Sequence, residues 1–581
     1  MIIPGPTPKI LVANRGEIAV RVMRTCRELG IPTVAVYSDV DRDALHVEEA
    51  DEAYHLGPAQ PSESYLNVPR LLEAARKSGA TMVHPGYGFL SENADFAQAV
   101  GDAGLTFIGP PPSAMAMLGD KAEARRAAKE VGAPIVPGTE GPVSTEEAMA
   151  VADEVGFPLL VKAAFGGGGK GMHLVERKED LAEALERSAR EAKAYFGRPE
   201  VYLERYIERA HHVEAQILAD THGNVSFLGE RDCSLQRRHQ KLVEESPSPV
   251  VGPGLRARIR EAAIGIARRA GYVNAGTVEF LVEAERDAFY FMEVNARLQV
   301  EHPVTEMVTG LDLVRLQIMV ALGEEVHVEP ELRGHAIECR LNAEDPYRDF
   351  LPSPGLVTRH RRPGGPFVRL DSGLTEGRAV AGAYDSLFAK LIVWAETREL
   401  ARRRMLRALD ELELDGIATT VPFHKWVLQT DEFIEATHTT KWVERALEDG
   451  RFQLPDGAAA TQVAPAPSRA PMRMIVEVDG RRVPVALWGD HLRRAPAAPA
   501  ASHGAGAAAA GHKVVSAPMQ GTILQVKIEP GQAIAAGDVV CILEAMKMEN
   551  HITSDHDGVV KDLMIQKGDV VQADQPLALI E

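Results

Sequence analysis

The C-terminal end of this chain repeats itself. Gly521-Thr-Ile-Leu-Gln-Val recurs as Gly558-Val-Val-Lys-Asp-Leu, Glu529-Pro-Gly531 as Gln566-Lys-Gly568, and Val540-Cys-Ile-Leu-Glu544 as Leu577-Ala-Leu-Ile-Glu581, each 37 residues later (558 − 521, 568 − 531, 581 − 544). A short strand-turn-strand unit cannot bury its apolar face alone, so two copies predict a quasi-symmetric, flattened β-barrel. At the junction of the copies stands EAMKMEN, Glu544 to Asn550, with Lys547 between two methionines. Ile542-Leu543 before it and His551-Ile552 after it read as strands, which places Lys547 on a tight hairpin turn. A lone lysine there is ordinarily a solvated surface charge. Two methionines on an exposed turn need a reason, and a recognition surface supplies one.

The chain has 581 residues, enough for about four domains. Lys plus Arg is 64 against 83 Asp plus Glu, a formal net charge of −19, which argues against a general binder of nucleic acid or anionic membrane. Cys26, Cys233, Cys339 and Cys541 are scattered without a CxxC pair, as expected of reduced core residues rather than a disulfide frame or zinc site. MIIPGPTPK lacks the charged and apolar regions of a signal peptide, and no apolar run is long enough to span a bilayer, so a cytoplasmic location is expected.

Near the N-terminus, Lys9 to Ala13 reads as a buried strand. A helix follows with Ile18, Val22, Cys26 and Leu29 on one face and Gly30 as its stop, then a second strand from Thr33 to Tyr37. This opening predicts a Rossmann-like sheet, without the GxGxxG of NAD binding. α/β alternation continues to about residue 450. From about Pro455 to His512 the chain is rich in Ala, Pro and Gly and reads as a linker, interrupted by Met472–Trp488, whose two alternating runs around Asp479-Gly480 predict a β-hairpin.

Phe289 to His302 carries the second constellation. Glu293, Asn295, Arg297, Gln299 and Glu301 alternate with Met292, Val294, Ala296, Leu298 and Val300, which by period two is one polar and one apolar face of a strand. An ordinary wet strand face carries Thr, Ser and Lys in loose order; carboxylates, an amide and a guanidinium in one row suit Mg²⁺ and phosphate. Glu279, within the strand-like Gly276–Val282, would make a metal pair with Glu293. Gly166 to Gly169 followed by Lys170-Gly171, after the strand Pro158–Ala163 that holds Lys162, reads as a mobile phosphate lid, although a plain flexible loop explains the glycines equally well. The basic run Glu230 to Lys241 is, in so acidic a chain, best read as an anion site.

With these motifs and HPGYGFLSEN at His84–Asn93, two resemblances are clear. Residues from about Lys513 to Glu581 resemble a biotinyl carrier domain, whose AMKM lysine carries biotin; a lipoyl domain is the rival with the same barrel. The first 450 or so residues resemble biotin carboxylase, an ATP-grasp enzyme. The resemblance implies a multidomain α/β chain: a Rossmann-like N-terminal domain (1–118), an ATP-grasp domain with the Gly-rich lid (119–330), a C-terminal α+β domain (331–450), the linker with its hairpin (451–512) and the flattened β-barrel carrier (513–581). By position it implies ATP binding by Lys121, Lys162, Gly167, Gly168, Gly169, Glu204, Ile207, His212, Gln236 and His239. It implies Mg²⁺ or Mn²⁺ on Glu279 and Glu293 with Asn295 beside them, and bicarbonate at Lys241, Arg297, Gln299 and Val300. Glu301 matches the general base, Arg340 in HAIECRLNAED matches the arginine that stabilises charge on biotin, and Lys547 matches the biotinylation site.

No carboxyltransferase segment is visible, so the whole resembles the α subunit of an acyl-CoA carboxylase of the acetyl- or propionyl-CoA type. That implies a separate β carboxyltransferase subunit, a biotin protein ligase, and a homo-oligomer within a hetero-oligomeric complex, with no nucleic-acid or membrane partner. A different ATP-grasp ligase with a lipoyl-type carrier and an inactive assembly scaffold are the competing readings.

Overall fold

The computed structural model describes residues 7–139, 141–163, 172–196, 198–453, 472–478, 481–487, 513–517, 521–545, 548–571 and 575–581. The chain divides into two compact units, the larger comprising Met1–Ala381 and Ser386–Gln453 and the smaller Gly382–Asp385 and Leu454–Glu581.

The larger unit opens as the sequence predicts. β1 (Ile10–Val12) leads into the helix Gly16–Glu28, whose inward face includes Ile18, Val22 and Cys26, and the chain returns as β2 (Thr33–Ser38). With β3 (Glu52–Gly57), β4 (Met82–His84) and β5 (Thr106–Phe107) they form a parallel sheet in the order β3-β2-β1-β4-β5. At its C-terminal edge Asn14 Nδ2 donates to the carbonyls of Pro85 and Tyr87, both at 2.7 Å, and so holds the HPGYGFLSEN loop. A small sheet, β6 (Leu159–Ala163), β7 (His173–Val175) and β8 (Val201–Arg205), comes next.

Beside three short two-stranded pairings between residues 344 and 415, eight further strands make one antiparallel sheet. They are β9 (His211–Ala219), β10 (Val225–Arg237), β11 (Gln240–Ser246), β12 (Asn274–Glu283), β13 (Ala288–Asn295), β14 (His335–Asn342), β15 (Val368–Ser372) and β16 (Leu387–Ala395). Their order is β13-β12-β9-β10-β11-β14-β16-β15, and the pairing of Val243 with Cys339 carries the sheet across residue 330 without a break. The helix Pro253–Arg269 packs Ile259, Ala263 and Ile266 into a core with Val213, Ala215 and Phe280 of the sheet. A second core joins Cys339, Leu341 and Leu391 to Met405 and Leu409 of the helix Arg398–Glu411. The four cysteines are free and buried.

In the smaller unit, Met472–Val478 pairs with Arg481–Leu487 as the predicted hairpin, Val478 opposite Arg481. The C-terminal repeat builds two four-stranded sheets. One runs Lys513–Ser516, Pro576–Ile580, Gly558–Leu563, Ala533–Ile534; the other runs Met548–Thr553, Val539–Ala545, Gly521–Val526, Val570–Val571. Each strand in one sheet has its repeat equivalent at the same place in the other. The duplication extends to glycine: a Cβ on Gly521 would lie 2.5 Å from the Glu544 carbonyl oxygen, and one on Gly558 would lie 2.5 Å from that of Glu581. Only glycine permits that approach at both places.

Candidate active site

β9, β10, β11, β12 and β14 are interior strands, so side chains on their common polar face are buried. Glu214, Glu301 and Glu244 are wholly buried, and a buried carboxylate demands partners. Lys241, near the start of β11, supplies one: its Nζ lies 2.7 Å from Glu214, 3.1 Å from Glu279 and 2.6 Å from Glu301. Arg340 of β14 supplies the next, donating from Nε to Glu244 at 2.5 Å and from Nη2 to Glu301 at 2.8 Å. Arg231, itself buried, donates to Glu214, Gln216 and Thr305. Two cations therefore grip Glu301. Burial works to raise its pKa, but the charges of Lys241, Arg340 and Arg231 overcome it and hold the carboxyl well below the usual carboxylate range. Burial lowers Lys241's proton affinity, yet Glu214, Glu279 and Glu301 drive it well above the usual lysine value.

Glu279 stands directly opposite Glu293 across β12 and β13. It receives hydrogen bonds from Asn295 Nδ2 at 2.8 Å and Gln299 Nε2 at 3.2 Å and pairs with His212 Nε2 at 2.8 Å. Burial would lower the His212 pKa, but the Glu279 charge raises it. Among the described residues no donor reaches Glu293; the protein around it and the facing Glu279 both raise its pKa, with the charge of Lys121 opposing.

The polar row from Glu293 to Glu301 converges as expected but is not one strand. β13 ends at Asn295, and Arg297, Gln299 and Glu301 come from the segment leading into the helix His302–Thr309. Met292, expected on the apolar face, is 37% exposed, because β13 is the sheet's edge and its pairing slips between Glu279 and Phe280. The segment is fixed from outside: Glu92 of the HPGYGFLSEN loop accepts from Ala296 N and Arg297 Nε, Lys390 donates to the Val300 carbonyl at 2.9 Å, and His302 Nδ1 meets the Gln299 carbonyl at 2.7 Å. Arg297 also donates to Asn295 and Gln299, both at 3.1 Å.

Glu204, on β8, binds both Lys162 of β6 and Arg125. Ile207 is buried beside Val136 and Ala210. Lys121 opens the helix Lys121–Glu130. Gln236 pairs with Lys241 in register, and the exposed His239 sits in the β10–β11 turn with φ +66°. The basic run ending at Lys241 is mostly spoken for: Arg231 is bound to Glu214, while Arg237 and Arg238 are bound to Asp349. Of this run, Arg231 and Lys241 join the polar cluster, both through Glu214. Gly167, Gly168, Gly169 and Lys547 lie outside the described residues, although the strands flanking Lys547 pair up to Ala545 and Met548. Sequence reasoning missed Glu214, Glu244, Glu92, Arg125 and Lys390. The period-two set His212, Glu214, Gln216 was the available signal for the first.

Four family models match: the biotin carboxylase N-terminal domain at 6–115, the carbamoyl-phosphate synthase L chain ATP-binding domain at 120–328, the biotin carboxylase C-terminal domain at 338–445 and the biotin-requiring enzyme domain at 513–580. The chain is 47% identical to the biotin-dependent acyl-coenzyme A carboxylase alpha3 subunit of Mycobacterium leprae, over 99% of this chain and 98% of that one. It belongs to the biotin-dependent acyl-CoA carboxylase α-subunit family. Biotin carboxylase 1 of Bacillus subtilis is 50% identical over 75% of this family member and 98% of its own length. The biotin carboxylase of Campylobacter jejuni, solved as a β,γ-ATP complex, is 44% identical, covers 76% of this chain and 99% of its own, and superposes with a TM-score of 0.72. The biotin carboxylase domain of Hydrogenobacter thermophilus 2-oxoglutarate carboxylase, solved with MgADP, ADP and bicarbonate, is 45% identical over 76% of this chain and 98% of its own, with a TM-score of 0.71. The present α-subunit family member is thus an ATP-dependent ligase that carboxylates biotin.

Proposed function

We propose that this chain carboxylates biotin held on Lys547, using ATP and bicarbonate, for transfer by a separate β carboxyltransferase subunit to acetyl-CoA or propionyl-CoA. The observation that carries this reading is the placement of one buried carboxylate, Glu301, between Lys241 and Arg340 at the edge of the Glu279–Glu293 pair.

Bicarbonate is a poor electrophile, and phosphorylation gives it a leaving group. That step needs positioning and charge neutralisation rather than covalent help. Lys241 and Arg297, with Gln299 and the Val300 backbone, hold the bicarbonate oxygens, and Glu301 takes the proton as the oxygen attacks the γ-phosphorus and ADP leaves. The carboxyphosphate so formed breaks down to carbon dioxide and phosphate, the phosphate takes the proton from biotin N1, and N1 attacks the carbon dioxide. An anion bound at Lys241 offsets the charge that keeps Glu301 so weak a base, so the base gains proton affinity as its substrate arrives. Arg340 stabilises negative charge on the ureido oxygen of biotin. Lys121, Lys162, Glu204, Ile207, His212, Gln236, His239 and the glycines Gly167 to Gly169 bind ATP.

Glu279 and Glu293, with Asn295 nearby, suit a hard cation: both offer carboxylate oxygens, they face each other in register, and Glu293 has no donor of its own among the described residues. Mg²⁺ or Mn²⁺ bound there neutralises phosphate charge.

The full-length likeness to an α3 subunit supports a hetero-oligomer of α and β chains, and the four matched ranges, 6–115, 120–328, 338–445 and 513–580, support the division at residues 118, 330, 450 and 512. Biotinylation by a biotin protein ligase and self-association of the α chain complete the reading. Among the described residues no helix is long and apolar enough to cross a membrane, and a cytoplasmic location accords with that. ATP cleavage that depends on both bicarbonate and free biotin tests the carboxylase half. Acyl-CoA carboxylation that appears only when the co-purified β chain is added tests the rest, with the acyl-CoA panel naming the acceptor.

A further inference from the structure

Three buried groups of His, Cys, Asp and Glu side chains are compact enough to hold a cation among the described residues. Two of them, His212–Glu214–Glu279 and Glu214–Cys233–Glu301, belong to the active site, and the Lys241 ammonium already supplies their positive charge. The third is His211, Asp232 and His438, in which one ring nitrogen of each imidazole and one carboxylate oxygen all lie within 4.8 Å of one another.

This third group has no built-in cation. Asp232 is 2% exposed, and His211, with Nδ1 at 3.5 Å from Oδ2, is its one salt-bridge partner among the described residues. Arg398, a guanidinium that feels the Asp232 charge, is committed to Glu245 through Nε at 2.6 Å and Nη2 at 2.9 Å, and His335 meets the same Glu245 at 2.7 Å. Arg398 and Glu245 cancel, which leaves Asp232 as a buried anion without a fixed counter-charge. Such a group requires a cation or a proton nearby.

Neighbouring groups hold Asp232 and His438 as an outer shell holds metal ligands, Ser234 N donating to Asp232 Oδ1 at 3.0 Å, while His211 Nδ1 lies 3.3 Å from Ser234 Oγ. Ser234 Oγ donates to Asp232 Oδ1 at 2.5 Å and Ser248 Oγ to Oδ2 at 2.9 Å. His438 Nδ1 lies 3.2 Å from the Glu432 carbonyl. A carbonyl only accepts, so Nδ1 carries the proton and Nε2 is left as a lone pair. The ring is stacked on Phe433, with centroids 5.7 Å apart.

We propose that His211, Asp232 and His438 form a structural site for a zinc-type divalent cation, separate from the nucleotide's magnesium. Two imidazoles and one carboxylate favour zinc or cobalt over magnesium. Ligands of a tetrahedral zinc stand about 3.4 Å apart, so the group closes onto an ion with side-chain adjustments alone. The ion ties the segment around His438 to β9 and β10, where Thr440 N already donates to the Ala210 carbonyl at 3.0 Å.

The test uses the full chain, stripped with a chelator and titrated with Co²⁺ in magnesium buffer. Wild type binds one equivalent, develops visible d–d absorption and melts at a higher temperature with Co²⁺ or Zn²⁺. His211→Gln and His438→Gln each lose the absorption and the metal-induced rise in melting temperature, with affinity reduced roughly tenfold or more. Since either variant can start from a lower melting temperature, the readout is the change that metal produces within each protein. Wild type without d–d absorption overturns the proposal, as do variants that match wild type in absorption and affinity.

Discussion

Glu279 and Glu293 face each other across two antiparallel strands, yet the protein satisfies only one of them. Glu279 is held by His212, Lys241, Asn295 and Gln299, whereas no donor reaches Glu293 among the described residues. The unsatisfied carboxylate is the one a metal ion would engage. Glu293→Gln is expected to raise the Mg²⁺ concentration for half-maximal ATP cleavage by about tenfold or more, with the fold intact. An unchanged Mg²⁺ titration contradicts the assignment.

Glu301 is the proton acceptor in this account. Glu301→Gln keeps the size of the side chain and removes the basic oxygen, so biotin-dependent ATP cleavage is expected to fall by about 10²–10⁴-fold, roughly 3–5 kcal/mol of barrier. Nucleotide affinity, measured by equilibrium binding, should change little. Near-normal turnover in this variant removes Glu301 from the mechanism.

Arg340 spans Glu244 and Glu301 with two separate nitrogens. A lysine is a point charge and cannot reproduce that fork. Arg340→Lys should therefore lose most activity with free biotin while retaining nucleotide binding. Full activity in the lysine variant means that charge alone suffices and the geometry is incidental.

The site was partly legible in the sequence, for a physical reason. The row Glu293 to Glu301 and Glu279 were visible because acidic and basic residues at period two stand out against an apolar strand. Glu214 and Glu244 were not, because a glutamate in an alternating strand reads as a wet face until the sheet order is known. Only the placement of β9 and β11 in the interior of the large sheet shows that these two are wholly buried. Likewise, nothing local to Glu92 announces that it holds Arg297, some 200 residues away in the chain (297 − 92 = 205). The carrier was more legible, because its repeat maps strand for strand onto the two sheets.

Glu17 gives a prediction about stability. Its carboxyl is buried with both oxygens lacking hydrogen bonds, 3.3 Å from Lys390. Burial raises its pKa to about 7, against the opposing pull of Lys390. A raised folded-state pKa means that the folded protein binds the proton more tightly than the unfolded chain. The contribution is fully present below about pH 4.5 and is lost as pH rises through about 7. Glu17→Gln should remove that fall, worth about 3 kcal/mol at most. Chemical denaturation of both proteins at pH 5 and pH 8 reads it; equal pH dependence in the two contradicts the assignment.

The central claim is that this chain fixes bicarbonate carbon onto biotin at Lys547. Biotinylated protein incubated with radiolabelled bicarbonate and MgATP, then separated from small molecules, reports it directly. The account predicts acid-labile label close to one per biotinylated chain, none without ATP, and none in Lys547→Arg, which still cleaves ATP with free biotin. Label that persists in Lys547→Arg, or no label on the biotinylated wild type, contradicts it.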